Sequence, residues 1–316
     1  MLDADHYRTA HRIAIKERIV RKALLIGVLA LLLVSPSIRE DKMESSFAVH
    51  LNHFYVILDS ATYKAIEADE FIRSRFVVAE QRTTVRTDRT YTGLYLYGAN
   101  TYFEFFDASQ KTMGGAGASG IAFGVDQPGT LQSLVKELPS EFTLQPVPIT
   151  RQYNDSQVPW FFMAVPKTLR PDSGFSLWIM EYHSRFLAEW KPAGNKQEQG
   201  ISRRHILARY AAVLKKTPTQ PYLQDVIGLT ICLDKSTAVK LVELCRLLGY
   251  RSSTEGNATS LEGPDIKMRV VAEADSARGI REITMRVKGG PEKQTEYHFG
   301  KAVLRFVGNG QATWSF

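Results

Sequence analysis

Leu51-Asn52-His53-Phe54-Tyr55-Val56-Ile57-Leu58-Asp59 is an apolar strand that ends in an acid, and Tyr102-Phe103-Glu104-Phe105-Phe106 is a second strand that carries one. A helical run follows Asp59, and two further strand-like runs precede Tyr102. The same order then returns. Gly120-Ile121-Ala122-Phe123-Gly124-Val125-Asp126 stands for the first strand, and Ile179-Met180-Glu181-Tyr182-His183 for the last. Repetition of this kind decides the architecture before any single motif does.

Outward from these segments, residues 60–76 read as a helix, capped by Ser60 and striped by Tyr63, Ile66, Phe71 and Ile72. Strands are expected at 77–87, 92–97 and 101–106, the last two joined by the turn Gly98-Ala99-Asn100. In the second copy a helix is expected over 128–138 with Pro128 in its first turn, then strands near 143–153, 159–165 and 175–183. Residues 184–221 break the pattern with two helical pieces whose lysines and arginines read as a solvated face. A third copy starts with the strand 226–233, ends it in Asp234, and continues with a helix over 236–248 stopped by Gly249. Residues 266–272 take the place of its acid-bearing strand, and 279–287 opens a reduced fourth copy without a helix. The fold class expected is therefore α+β, built of repeated βαβββ units paired into curved mixed sheets.

A formal charge of +7 in 316 residues looks notable until it is located, chiefly at the N-terminus and in residues 185–216. No basic-aromatic platform or recognition helix accompanies it, so nucleic acid is not an expected partner. Cys232 and Cys245 form no CxxC and read as small buried apolar residues. Residues 24–34 are an uninterrupted apolar run behind Arg8, Arg12, Lys16, Arg18, Arg21 and Lys22. That order predicts a secretory signal or a signal anchor, with a membrane contact through residues 23–38 and the rest of the chain exported to the periplasmic or extracytoplasmic side. The alternative is that Met43 is the true start and the protein is cytoplasmic. The expected divisions are 1–43, the basic segment and hydrophobic helix; 44–184, the first paired-unit domain; 185–221, a basic helical linker; and 222–316, a second, degenerate domain.

The repeated unit resembles the vicinal oxygen chelate superfamily, which includes glyoxalase I, extradiol dioxygenases and bleomycin- and fosfomycin-resistance proteins. The segments 51–59 and 91–107 are also similar to a bacterial glyoxalase-like family of unknown function. The resemblance implies two units forming a half-barrel around a divalent metal, with ligands on the first and last strands of each unit. Carried over, it places His53 and Glu104 at ligand positions of the first unit and Glu181 at that of the second. The first-strand position of the second unit falls on Gly120, which cannot ligate. In the later units Gly228 and Arg269 stand where ligands would be expected, which marks that pair as structural or degenerate.

One imidazole and two carboxylates suit Zn²⁺, Mn²⁺, Fe²⁺ or Ni²⁺ with positions left open for a substrate. The expected ligands are then His53, Glu104 and Glu181, with Glu104, Glu181 or His183 moving protons in lyase, isomerase or dioxygenase chemistry on a small oxygen-rich ligand. Strand parity sets Tyr102, Glu104 and Phe106 on one face and pairs Glu181 with His183. Each residue also has a bland reading. His53 reads equally as a buried histidine hydrogen-bonded to a neighbour. Glu104 among aromatics needs a metal, an arginine or a proton, and Arg86 or Arg89 pairing with the acids would remove the need for a metal. The rival functions are a non-catalytic binding module, marked by an aromatic-lined cavity without metal, and a structural interaction protein.

Overall fold

Asp59 closes the strand β1 (His50–Leu58) and starts the helix α1 (Ser60–Ala68), its carboxylate accepting from Thr62 N at 3.0 Å and Thr62 Oγ1 at 2.9 Å. In this computed structural model the described residues are 47–140, 142, 145–153, 155–167, 169, 174–189, 202–214, 218–273, 279–291 and 295–316. The helix expected to run to Phe76 stops at Asp69, whose extended backbone ends α1 and whose side chain accepts from Ile72 N at 3.0 Å. The chain resumes as a π-helical turn, Ile72–Phe76, and then forms β2 (Val78–Val85), β3 (Thr90–Tyr97) and β4 (Tyr102–Asp107).

The second copy comprises β5 (Ser119–Val125), α2 (Thr130–Glu137), β6 (Val147–Tyr153), β7 (Ser156–Ala164) and β8 (Phe175–Tyr182). Two helices follow, α3 (Ser184–Glu189) and α4 (Arg203–Val213). The third copy is β9 (Leu223–Leu233), α5 (Lys235–Leu247), β10 (Arg251–Glu255), β11 (Ala258–Glu262) and β12 (Lys267–Ala272). Asp234 caps α5 through Thr237 N and Oγ1 at 3.1 and 2.7 Å, the same Asp-x-x-Thr device as in the first copy. The fourth copy, β13 (Gly279–Val287), β14 (Glu296–Phe299), β15 (Ala302–Gly308) and β16 (Gln311–Ser315), contains no helix among its described residues. β10, β11 and β14 were not anticipated from the sequence.

The strands form two eight-stranded mixed sheets, ordered β2-β3-β4-β1-β5-β8-β7-β6 and β10-β11-β12-β9-β13-β16-β15-β14. In each unit that has a helix, the helix carries the chain across so that the last strand lies parallel to the first: β1 with β4, β5 with β8, β9 with β12. Antiparallel pairing of β1 with β5, and of β9 with β13, joins the units two by two. The first sheet is thereby a curled half-barrel.

Alternation along β1 and β4 divides the residues between two environments. Phe54, Val56, Leu58, Phe103 and Phe105 enter a core that both sheets share. Tyr55, Ile57, Tyr102 and Phe106 enter a second cluster on the inner face of the half-barrel. Trp314 of β16 is fully buried in the shared core, with ring centroids 5.1 Å from Phe105, 5.9 Å from Phe76 and 6.2 Å from Phe103. Part of the inner face is covered by α4, whose Ile206, Leu207 and Tyr210 are buried there, Tyr210 stacking on Tyr97 at 5.5 Å. The expected solvated basic face is thus corrected at Arg203, while Arg204 is exposed. Arg203 is buried and donates to the Leu51 carbonyl at 2.8 Å and to Asp265, while its backbone N–H donates to Asp126 at 2.9 Å.

The hydrophobic segment at 23–38 lies outside the described residues. Among the described residues no helix is long and apolar enough to cross a membrane. The expectations of a transmembrane signal anchor, a membrane partner and an extracytoplasmic location are corrected accordingly: nothing among the described residues supports them.

Candidate functional site

On the inner face, β1 supplies His53 and the adjacent parallel strand β4 supplies Glu104, both buried. His53 Nδ1 lies 2.8 Å from the Asn52 side-chain oxygen. That oxygen can only accept, so Nδ1 carries the imidazole proton and Nε2 is left bare. The ring stacks on Tyr102 at 4.4 Å and meets Trp178 edge-on at 5.3 Å. Its Nε2 stands 3.8 Å from Glu104 Oε1. The two groups do not form an ion pair, because burial penalises the charge on each. Burial, aided by Arg86, pushes His53 down to about 3. Burial pushes Glu104 up to about 8, against the opposing pull of Arg82, hydrogen bonds from Tyr95 and Tyr102, and Arg86.

A stability prediction follows from Glu104. Its folded value lies above its ordinary one, so between about 4.5 and 8 the folded chain holds a proton that the unfolded chain has lost, and stability falls as pH rises through that window. His53 acts in a different window: its contribution is present above 6.5 and is lost as pH falls from there toward about 3. Glu104→Gln removes the first effect only. Between pH 6 and 8 the variant should therefore gain about 2 kcal/mol on the wild type. Denaturant unfolding at the two pH values measures this, and an unchanged difference would mean that Glu104 is ionised in the fold.

The other two expected site residues stand elsewhere. Glu181 is buried, but its Oε1 accepts from Gly129 N and its Oε2 from Leu131 N, both at 2.8 Å. It thus caps α2, a role that Asp59 and Asp234 fill for α1 and α5. Asp126, the matching acid of the second copy, is turned to Arg203 instead. Helix α2 begins at Thr130 rather than at Pro128, with Gly129 before it at φ +81°. His183 follows β8, stacks on Phe162 at 5.0 Å and accepts from Arg185 N at 3.2 Å. The structure brings His53 and Glu104 together and does not bring Glu181 or His183 to them.

Sheet register explains the separation. β1 and β5 pair with His53 opposite Ala122 and Tyr55 opposite Gly120, which relates His53 to Gly120 and Tyr55 to Ala122 across the pseudo-twofold. Glu104 lies beside Tyr55, so its counterpart is the residue beside Ala122, which is Trp178. Glu181 is three positions further along, and an odd offset points to the opposite face. A Cβ on Gly120 would meet Tyr55 Cε1 at 2.5 Å, so the aromatic ring occupies the space that a ligand side chain would need. Among the described residues no three His, Cys, Asp or Glu side chains converge on a metal-sized site. With two donors, a tryptophan and a glycine at the remaining positions, and Arg86 acting on both donors, the residues present do not fit a divalent ion.

What this face does enclose is a cavity of about 210 Å³. His53, Tyr55, Tyr102, Glu104, Trp160, Phe161 and Trp178 line it, together with Arg86, Arg89 and Ser176. The tryptophans carried no sequence signal, since their strands read simply as apolar. The arginines had been seen only as partners for the acids; in the fold both engage Asp88.

A family model described as a family of unknown function (DUF5829) matches residues 51–316. No curated protein matches the chain. Among solved structures, a hypothetical protein from Staphylococcus aureus is similar over 84% of this chain and 97% of its own, at 10% identity and a TM-score of 0.50. An extradiol ring-cleaving dioxygenase from B. fuscum is 13% identical over 73% of this chain and 55% of its own, with a TM-score of 0.35. A variant of 4-hydroxymandelate synthase from Streptomyces coelicolor is 14% identical over 72% and 62%, with a TM-score of 0.34. At such an identity the likeness to the Staphylococcus aureus protein concerns the fold alone.

Proposed function

We propose that this chain, which belongs to the family of unknown function DUF5829, is a small-molecule-binding protein of vicinal oxygen chelate type whose ligand occupies the inner face of the first half-barrel. The observation that carries this reading is the aromatic-walled cavity built on the His53–Glu104 face. Enclosed apolar walls with a few convergent polar groups are the usual form of a small-molecule site. The paired βαβββ units support this superfamily reading, and the cavity-lining residues, from His53 to Trp178, all fall in the first sheet's half of the chain. Lyase, isomerase or dioxygenase chemistry through a metal would need a third ligand where Trp178 or Gly120 stands. His53 and Glu104 serve instead as a neutral acceptor and a hydrogen-bond donor to the bound molecule.

Two measurements on the full chain test this. Elemental analysis of the wild type and of His53→Ala/Glu104→Ala should find no stoichiometric metal in either; a metal present in the wild type and lost in the variant would sink the metal-free reading. A thermal-shift screen of small organic molecules should yield stabilising compounds whose effect disappears in Trp178→Ala. Hits that survive that substitution would place the binding elsewhere.

A further inference from the structure

Building on that reading, we propose that the cavity is an anion site, selecting small organic acids whose acidic group lies against Arg86 and Arg89 and whose apolar body fills the aromatic walls. The fold's metal position would attract a cation; this chain has put guanidinium groups beside it.

Both arginines line the cavity, and one carboxylate, that of Asp88, serves the pair. Arg86 Nε donates to Asp88 Oδ1 at 2.7 Å and its Nη2 to Oδ2 at 3.0 Å, while Arg89 Nε reaches the same Oδ2 at 3.1 Å. A guanidinium has five N–H donors, so this arrangement leaves donor capacity on each. The Arg86 side chain is only 11% exposed, which makes an anion beside it worth more than one at a solvated surface. Asp88 fixes the orientation of both forks, so little ordering is left for a ligand to impose. The cavity's own acid, Glu104, is hydrogen-bonded to Tyr95 and Tyr102.

The ring faces of Tyr55, Trp178 and Phe161 complete the apolar part of the enclosure.

The test uses the full chain in EDTA and two matched pairs of probes, 2-naphthoate with 2-naphthamide and hexanoate with hexanamide, followed by tryptophan fluorescence and thermal shift. In each pair the carboxylate should bind about tenfold or more tightly than the amide, the range expected of charge-assisted hydrogen bonds. Arg86→Gln/Arg89→Gln should erase that preference. Arg86 also orders its own loop, so Arg89→Gln alone, at a more exposed position, should cut the preference severalfold without affecting folding. Carboxylate and amide binding equally well would overturn the anion site and leave the small-molecule reading standing. No binding by any of the four would overturn both, and binding that appears only when zinc or manganese replaces EDTA would overturn the metal-free site.

Discussion

Trp314→Ala should destabilise the protein by about 3–5 kcal/mol, the range for deleting a large aromatic side chain from a packed core. Trp314 sits on β16 of the second sheet, yet its ring is surrounded by Phe76, Phe103 and Phe105 of the first half of the chain and by Phe299 of its own. The rings packed on it are rigid, which limits how far the gap can close. Among the described residues the indole Nε1 has no hydrogen-bond partner, so Trp314→Phe loses ring volume without breaking a polar contact and should cost only about 1–2 kcal/mol. Thermal unfolding measures both; in a unit of this size the alanine variant should melt on the order of 10 °C lower. An alanine variant as stable as the wild type would mean that the two sheets do not share a core.

Glu181→Ala is the second large effect, and it separates two roles for one residue. As the cap of α2, the carboxylate holds the Gly129 and Leu131 N–H groups, the second of them buried, and its removal should cost about 2–3 kcal/mol. Binding in the cavity should persist in the surviving folded protein, since the side chain lies on the opposite face of the sheet. Glu181→Gln keeps one acceptor and should fall between. If Glu181→Ala left the melting temperature untouched but abolished ligand or metal uptake, the cap assignment would be wrong and the residue would belong to the site.

These two residues also mark where the sequence could be read and where it could not. The repeat was legible because the first strand of each of the first three copies is a dense apolar run ending in aspartate, and Glu104 stood out as the one acid inside the aromatic run 102–106. Glu181 was not. Its flanking residues match those of Glu104, but facing is set by register across β1, β5 and β8, and no local pattern reports a three-residue offset. The break at Asp69 was hidden because the apolar stripe continues through it, and only the backbone at Asp69 shows the turn. β10 escaped notice because its residues, Arg251 to Glu255, are mostly exposed and show no alternation. The cavity's tryptophans and arginines come from strands and loops far apart in the chain, so their meeting is a property of the fold.

Arg203 has a consequence for the order in which the chain can assemble. Its guanidinium joins the Leu51 carbonyl, 152 positions away, to Asp265, 62 positions away. Its backbone reaches Asp126, so three of the repeated units converge on one residue. A buried guanidinium is costly until its acceptors are in place, and they are in place only after both sheets exist. Loop-closure entropy must be met before any such distant contact is rewarded. Helix α4 therefore docks late, as a clasp on an already paired structure, and the tyrosine-rich inner face it covers stays open to water until the two halves have found each other.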